Sequence, residues 1–303
     1  MPELTVSATE AGLSPEAFLQ QRIPAAPVGY LRKLIKDGKI RLNGVHLQPD
    51  GRIAAGDRLT LPESRRLADL LQQSQRLAVA ILYETGQFLV VDKPAGLATH
   101  AGQKHLHDNL TRRVEELLKN RGQHFMAAPI QRLDLETSGP VLFGKGKKSC
   151  SLLGQMMMAG GIAKTYLGLV AGQTEDSGLL VSSIPAKGKI KTAETAYQAI
   201  DRSPNATLVH IELRTGRQHQ IRRQFSDLGH PLFGDRRYNG PCPVNLHRLF
   251  LHCTELIFTD PLSGQPVRTI SALPADLSEF IASMGLQLNA QAPQSPTAAA
   301  RQP

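Results

Sequence analysis

An aspartate follows an arginine by two residues in Gln131-Arg132-Leu133-Asp134, just before the polar run Thr137-Ser138-Gly139. Thr, Ser and Gly favour turns, because their side chains bond nearby backbone groups or leave φ unrestricted. The apolar residues Val141-Leu142-Phe143 come next and favour a buried strand. We therefore expect Asp134 at the lip of a sheet, where a carboxylate can attack a substrate carbon or stabilise positive charge developing on it. The alternative is that Asp134 only accepts hydrogen bonds from N–H groups of its own turn.

The region that carries this aspartate contains more strand patterns than helix patterns. Phe88-Leu89-Val90-Val91 is a continuous apolar run that suits a buried strand. Further strands are predicted by alternating polar and apolar residues at 164–170, 195–200 and 207–213. A regular alternation of strands and helices is missing, so a parallel sheet is not expected. The pattern predicts an α+β domain over 80–285, with a mixed, largely antiparallel sheet flanked by helices and loops.

The N-terminal part predicts a smaller domain of helices and short strands. Ser14-Pro15-Glu16-Ala17 is typical of a helix start, with Ser at the N-cap and Pro in the first helical position. Residues 28–36 predict a second, amphipathic helix with a basic polar face. Asn43-Gly44 is a strong hairpin signal. We expect a loose lead at 1–12, a polar linker with some helix at 66–79, and a disordered tail at 286–303.

Positive charge is concentrated in two regions of this 303-residue protein, whose net charge is +9 at pH 7. Between Arg22 and Arg66, ten Lys and Arg against four Asp and Glu give +6. Between Arg214 and Arg237, six Arg against two Asp give +4. Two separate basic clusters favour a polyanionic partner such as RNA that contacts both. The alternative is a basic surface that only serves solubility.

Several classes of protein are excluded by the same sequence. No apolar run approaches the ~18 residues of a membrane-spanning helix, and the N-terminus lacks the basic and apolar segments of a secretory signal. The three cysteines are odd in number and lack C-x-x-C spacing, so neither a disulfide framework nor a zinc site is expected. His100, His105 and His107 lie in a polar loop. No helical i, i+4 pair or nearby pair of carboxylates completes a metal site there. A reducing cytoplasm is therefore the fitting compartment, without a metal site or membrane contact. We also expect a monomer.

Residues 18–61 resemble an S4 RNA-binding domain. The matching stretches are Ile35-Lys36-Asp37-Gly38-Lys39-Ile40, Leu42-Asn43-Gly44 and Ala55-Gly56-Asp57. The resemblance implies that 13–65 forms an S4-like αβ domain, in which Arg32, Lys33 and Lys36 bind RNA. Without the Asn-Gly hairpin behind it, the same basic helix would more simply be a solvated surface helix.

Five stretches further along resemble, in the same order, the motifs of the RluA-type pseudouridine synthases. They are 89–97, 132–139, 164–166, 216–222 and 229–238. Each stretch alone is a weak signal, but together they cover the chain from about Ile81 to about Phe258. The resemblance implies an isomerase that converts uridine to pseudouridine within RNA, without a cofactor or a metal. In that reaction the N1–C1′ bond breaks, the uracil turns, and C5 bonds to C1′.

The resemblance also implies roles for individual residues. Asp134 would be the catalytic carboxylate, acting at C1′ or taking a proton from C2′. Tyr166 would stack on the uracil and help to remove the C5 proton through its hydroxyl, while Arg222 would pair with Asp134 and orient it. Arg132 would fill the space left by a flipped-out uridine, unless it forms a structural salt bridge. Two further residues are expected to hold the loop or RNA phosphates, Arg217 and His219.

Two positions depart from the family pattern and keep other functions open. Gln131 stands where the family usually has His, and Glu136 where Asp is common. A glycosidase or nucleoside hydrolase would need a second carboxylate, and the turn explains Glu136 better. A catalytically inactive RNA-binding or ribosome-assembly factor on the same fold is the main alternative. Ribosomal RNA is the expected substrate, with transfer RNA as the alternative.

Overall fold

The computed structural model describes residues 1–23, 25–48, 51–77, 79–102, 108–186 and 189–288. From residue 289 onward the predicted disordered tail lies outside these residues, as do His105 and His107. The chain divides into two compact units, which are 1–79 with 100–127, and 80–99 with 128–303. The predicted boundaries of the functional domains, at 65 and 80, stay a prediction.

The first unit combines one small sheet with helices. Its strands are β1 (Glu3–Thr5), β2 (Arg41–Leu42), β3 (Val45–His46) and β4 (Arg58–Thr60). Its helices are α1 (Pro15–Arg22), α2 (Val28–Lys36), α3 (Arg65–Leu77) and α4 (Leu110–Asn120), with a 3-10 turn at Ala8–Glu10. The strand order is β1-β4-β2-β3.

Local signals in this unit are confirmed. The Ser14 hydroxyl caps α1 by accepting a hydrogen bond from the Ala17 N–H at 3.2 Å. Asn43 and Gly44 form the turn between β2 and β3 with φ values of 50° and 84°, the conformation that an Asn-Gly hairpin adopts. The Asn43 side chain strengthens this turn by donating to Asp57 at 2.8 Å.

Two segments are more regular than the sequence predicts. Residues 1–12, expected to be a loose lead, include β1, which pairs antiparallel with β4. Residues 66–79, expected to be a linker with some helix, lie mostly in α3. Leu67 is completely buried, and Leu70 and Leu71 pack against the same core. These leucines stand three and four positions apart, a helical spacing that the polar residues between them obscure.

The second unit is built on two sheets. Its strands are β5 (Ala80–Glu84), β6 (Phe88–Lys93), β7 (Ala127–Pro129), β8 (Gly139–Lys145), β9 (Ile162–Ala171), β10 (Ser177–Ala186), β11 (Lys189–Ser203), β12 (Ala206–Leu213), β13 (Leu251–Thr259) and β14 (Pro266–Ile270). Its helices are α5 (Gly146–Met158), α6 (Gln220–Asp227) and α7 (Ala275–Ser283). Across the described residues no helix is long and apolar enough to cross a membrane.

The two sheets have the orders β10-β11-β12-β9-β13-β14 and β5-β6-β8-β7. Every strand pair whose register is defined is antiparallel. The α+β prediction with a largely antiparallel sheet is therefore confirmed.

Strand β9 is the central strand on which part of the site is built. It lies between β12 and β13 and is buried along most of its length. Side chains two residues apart on a strand point to the same face, so Lys164 and Tyr166 share one face of β9. Leu167 and Leu169 belong to a core cluster that includes residues of α7.

The beginning of β8 crosses β13 at very short range. Ser138 forms a parallel bridge with His252, and the Cys253 N–H donates to the Ser138 main-chain oxygen at 2.8 Å. Gly139 has a φ of 123°, and a Cβ added there would stand 2.1 Å from the Cys253 oxygen. Only glycine therefore fits at the end of the Thr-Ser-Gly turn.

Candidate active site

Asp134 lies in the loop between β7 and β8 and lines a cavity. The Thr137 N–H donates to the main-chain oxygen of Asp134 at 3.1 Å, which closes the turn. The carboxylate itself contacts two basic side chains. Its Oδ2 accepts from Arg222 Nη1 at 3.3 Å, and its Oδ1 lies 3.8 Å from His219 Nε2. Within the described part of the chain no turn N–H bonds this carboxylate, so a purely turn-forming role is not supported.

Arg222, in α6, is held in place by a second carboxylate. Its Nε and Nη2 donate to the two oxygens of Asp235, each at 2.7 Å, which makes a bidentate pair. Burial disfavours the guanidinium charge, but Asp235 and Asp134 outweigh burial and raise the pKa of Arg222. Asp235 is completely buried. Asp235 therefore fixes the guanidinium so that Nη1 is directed at Asp134.

His219 and Tyr238 complete the polar cluster around Arg222. His219 precedes α6 in a left-handed conformation, with a φ of 53°. Its Nδ1 is hydrogen-bonded to the Tyr238 hydroxyl at 3.0 Å, and Arg223 Nε donates to the same hydroxyl at 3.1 Å. Burial lowers the pKa of His219, although the charge of Asp134 opposes this. The imidazole is therefore mainly neutral at pH 7 and orients Asp134 weakly compared with Arg222.

Tyr166 lines the same cavity from β9. It is 5% exposed and pairs with Cys253 of β13 in the register of the sheet. Burial, together with Cys253 and Asp134, raises the pKa of Tyr166 well above its usual value. The phenol stays protonated at neutral pH, which favours a contact role for the ring over removal of a proton by the hydroxyl.

Lys93, at the end of β6, anchors the loop that carries Asp134. Its ammonium donates to the main-chain oxygens of Pro94 at 2.9 Å, Leu97 at 2.8 Å and Leu135 at 3.1 Å. Since Leu135 directly follows Asp134, this side chain ties the Lys-Pro turn to the loop. Burial lowers the pKa of Lys93 to about 7, and the charge of Asp134 opposes the shift.

The buried amine of Lys93 gives the protein an expected pH dependence of stability. Its pKa is about 7 in the folded state against an ordinary value of 10.5. Between these values the unfolded state binds more protons, so this group makes the free energy of unfolding rise with pH above about 7 and leaves it constant below. Urea unfolding from about pH 7 to about pH 9 should show a smaller rise for Lys93→Met than for the wild type. Equal rises would contradict the assignment.

Gln131 extends the pairing between β7 and β8 with its side chain. The Ile130 N–H donates to the Leu142 main-chain oxygen at 2.8 Å. The buried amide of Gln131 then donates to the Pro140 oxygen and accepts from the Leu142 N–H, both at 3.2 Å. The side-chain amide thus makes the two hydrogen bonds to β8 that the backbone of one more strand residue would make, and it holds the loop in place. The departure from the family's His therefore has a structural use in this chain.

Arg248 fastens the Thr-Ser-Gly turn to α7. Its Nη1 donates to the Glu136 main-chain oxygen at 3.3 Å and to the Ser138 hydroxyl at 3.1 Å. Its Nε and Nη2 donate to the Asp276 carboxylate at 2.5 and 3.1 Å. Ser138 Oγ is also hydrogen-bonded to His252 Nδ1 at 2.9 Å. Burial lowers the pKa of His252, so this ring is a neutral partner.

Replacing Arg248 with Lys should slow turnover without weakening RNA binding. An ammonium cannot span both Asp276 and the turn as the planar guanidinium does. We expect a loss of about 1–3 kcal/mol in the free energy of unfolding and of about tenfold in turnover. Urea unfolding and the separate measurement of turnover and RNA affinity check this. Arg268→Lys on β14, where the side chain is 64% exposed, is the control, and equal turnover in both variants would refute the positioning role.

Arg132 and Arg217 both line the cavity. Arg132 is exposed and forms no ion pair or hydrogen bond with another described residue, so the alternative of a structural salt bridge is not supported. Arg217 donates from Nε to the Thr192 main-chain oxygen at 3.3 Å.

The predicted basic surface of the first unit lies on α2. Arg32, Lys33 and Lys36 are all exposed. Arg32 forms a bidentate ion pair with Glu16 at 2.7 and 2.9 Å. The two lysines are therefore more available to an anionic partner than the arginine is.

The cavity has a volume of about 300 Å³, at the lower end of the range for ligand pockets. Its lining includes Asp134, Lys164, Tyr166, Gly216, His219 and Arg222. It therefore brings together the three residues predicted to be catalytic. The described residues contain no group of three or more His, Cys, Asp or Glu side chains that could hold a metal ion.

Several residues that shape this site were not assigned from sequence. Lys93 and Asp235 stand inside the motifs, but a Lys after a strand and an Asp after a glycine are commonly surface residues. Arg248 directly precedes the apolar run Leu249-Phe250-Leu251. The useful signal is the same for all three, a charged residue within or beside an apolar run, because burial of such a charge requires a specific partner.

Two solved structures define the class of fold. Human RNA Pseudouridylate Synthase Domain Containing 4 matches with a TM-score of 0.59 and 20% identity, over 74% of this chain and 97% of that one. Human RNA Pseudouridylate Synthase Domain Containing 1 matches with a TM-score of 0.51 and 19% identity, over 70% and 96%. The fold is therefore that of the pseudouridylate synthases.

Sequence comparison gives the family. The profile described as RNA pseudouridylate synthase matches residues 87–227. Ribosomal large subunit pseudouridine synthase C of Escherichia coli (strain K12) is 30% identical over 88% of this chain and 91% of that protein. The enzymes of that name from Salmonella typhimurium and Yersinia pestis are 31% identical over 88% and 91%, and 30% identical over 95% and 96%. The chain belongs to the RluA-type pseudouridine synthases, and the predicted isomerase class is confirmed.

Proposed function

We propose that this protein isomerises uridine to pseudouridine in ribosomal RNA of the large subunit. The observation that carries the proposal is the Asp134 carboxylate, held by Arg222 in a cavity that Tyr166 also lines. The names of the curated relatives support the ribosomal substrate. The two basic clusters support RNA as the partner.

The proposed reaction begins with a uridine flipped out of the RNA, at a cost of a few kcal/mol. Asp134 acts on the sugar, at C1′ or at C2′, and the N1–C1′ bond breaks with its electron pair left on the uracil. The uracil turns and C5 bonds to C1′, as Asp134 leaves C1′ or as the proton returns to C2′. The hydrogen on C5 is then lost as a proton, and N1 gains one. Arg222 keeps the carboxylate in position, and the Tyr166 ring packs against the base.

Other basic residues would hold the RNA. Arg132, exposed at the cavity, would occupy the space left by the flipped uridine. Arg217 and His219 would contact phosphates or hold their loop. An S4-like domain over 13–65 would bind a second part of the RNA through the exposed basic residues of α2, chiefly Lys33 and Lys36.

A cytoplasmic location and action as a monomer complete the proposal. The three cysteines are free thiols, which suits a reducing compartment.

Release of tritium from RNA that contains [5-³H]uridine tests the proposal, because formation of the C5–C1′ bond expels that hydrogen. Unmodified large-subunit RNA, small-subunit RNA and transfer RNA are compared, and release from the large-subunit RNA alone is expected. Release from transfer RNA alone would overturn the ribosomal substrate. Tight binding without release from any RNA would favour the inactive RNA-binding factor.

A further inference from the structure

Lys164 is a buried amine without an oxygen partner among the described residues. The residue is 7% exposed, and Nζ donates to the Met157 thioether at 3.9 Å, which is a weak acceptor. None of the described carboxylates lies within ion-pair distance of this ammonium. The neighbouring Cys253 offers no counter-charge, because burial raises the pKa of its thiol to about 12. Burial likewise lowers the pKa of Lys164.

The other buried lysines of the second unit donate to oxygen atoms. Lys93 donates to three main-chain oxygens. Lys145 donates to the Glu84 carboxylate at 2.5 Å and to the Thr85 main-chain oxygen at 2.8 Å. An ammonium buried without such partners costs several kcal/mol. Lys164 therefore carries a cost that the folded protein does not offset by itself, which is typical of a group that meets its partner in a ligand.

Lys164 is placed where a bound base would meet it. It shares one face of β9 with Tyr166, about 7 Å along the strand, and both line the cavity that contains Asp134. Gly216 leaves space beside the ammonium, since a Cβ added there would lie 3.7 Å from Lys164 Nζ. A planar ring that contacts Tyr166 can therefore extend its edge to Lys164.

We propose that Lys164 donates a hydrogen bond to a carbonyl oxygen of the flipped uracil and stabilises the ring as it leaves C1′. This inference rests on the proposed function. When the N1–C1′ bond breaks, both bonding electrons stay on N1 and spread to the carbonyl oxygens. The sugar correspondingly bonds Asp134 at C1′ or loses its C2′ proton. Lys164 transfers no proton and acts through its charge.

A uracil carbonyl oxygen suits the site beside Lys164 better than a phosphate does, and Lys164 is better placed than Arg222 to bond that oxygen. A phosphate would have to be buried beside Tyr166 together with its charge, whereas a uracil carbonyl fits the apolar wall that the tyrosine provides. Arg222 is already committed, because its donors are directed at Asp235 and Asp134.

Lys164→Met tests the proposal against Lys147→Met, a loss of the same charge at an exposed position of α5. Single-turnover tritium release at saturating RNA should fall by about 10²-fold in the first variant and stay at the wild-type rate in the control. RNA affinity should be unchanged in both. The stability of the Lys164 variant to urea should equal or exceed that of the wild type, because an unpaired buried charge has been removed.

Three other results would overturn the proposal. Weaker RNA binding with a shallower salt dependence would assign Lys164 to a phosphate. An unchanged rate and affinity would make it structural. If the Met variant does not fold, Lys164→Gln, which keeps a donor but no charge, applies the same test, and full activity there would refute the role of the charge. Wild-type protein that releases no tritium from any RNA would refute the proposed function itself, which is a separate outcome.

Discussion

Asp134→Asn should abolish tritium release from RNA while the fold and the RNA affinity remain unchanged. The amide keeps the shape of the side chain, and its oxygen can still accept the hydrogen bond from Arg222 Nη1. It is neither a nucleophile nor a base, and loss of such a group costs about 10³-fold or more in rate. Single-turnover release and equilibrium binding, measured on the same RNA, check both parts of the expectation.

Glu136→Gln is the matched control, because it neutralises the other carboxylate of the same loop. The main-chain oxygen of Glu136 contacts Arg248, and the substitution leaves that contact in place. Turnover of this variant should equal that of the wild type. A variant of Asp134 that keeps a tenth or more of the wild-type rate would refute its catalytic role, and a large loss in Glu136→Gln would favour a two-carboxylate mechanism.

Arg222→Met should have the second-largest effect, on stability and turnover together. Asp235 would lose its bidentate partner while completely buried, and an uncompensated buried charge costs about 3–5 kcal/mol. Asp134 would lose the donor that orients it, and a small misplacement of a reacting group can cost about 10²-fold in rate. Urea unfolding and single-turnover release measure the two losses.

A second substitution separates these two losses. In the double variant Arg222→Met with Asp235→Asn, the buried carboxylate is replaced by a neutral amide, so much of the lost stability should return. Turnover should remain low, because nothing restores the donor to Asp134. Recovery of turnover with stability would show that Arg222 acts only through the fold. Lys147→Met, at an exposed position of α5, is the control for loss of a positive charge.

Much of the fold follows from local sequence. The Ser-Pro start of α1, the basic amphipathic pattern of α2 and the Asn-Gly hairpin each depend on neighbouring residues, and each is found as predicted. Residues 1–12 and 66–79 are more regular than predicted, because β1 forms only by pairing with β4, and α3 is stabilised by burial of widely spaced leucines. Long-range partners of this kind leave little trace in a short window of sequence.

The site shows the same division. Motif resemblance located Asp134, Tyr166 and Arg222, and the structure brings all three to one cavity. It could not indicate that Gln131 would replace a strand residue, nor that Arg248 would join the turn to α7. Gln131 and its partner Leu142 are 11 positions apart in the chain, and Arg248 and Ser138 are 110 apart. Only the tertiary fold brings these atoms together.

The crossing of Gly139 with β13 has a consequence for the timing of activity. The Ser138–His252 contact joins positions 114 residues apart, and a ribosome releases the N-terminal partner of such a pair long before the other. Asp134 thus leaves the ribosome early, while β13, which positions the turn after Asp134, is still being synthesised. A growing chain that already exposes the basic residues of α2 would remain inert, because the loop of Asp134 takes its final position only when the C-terminal strands have folded.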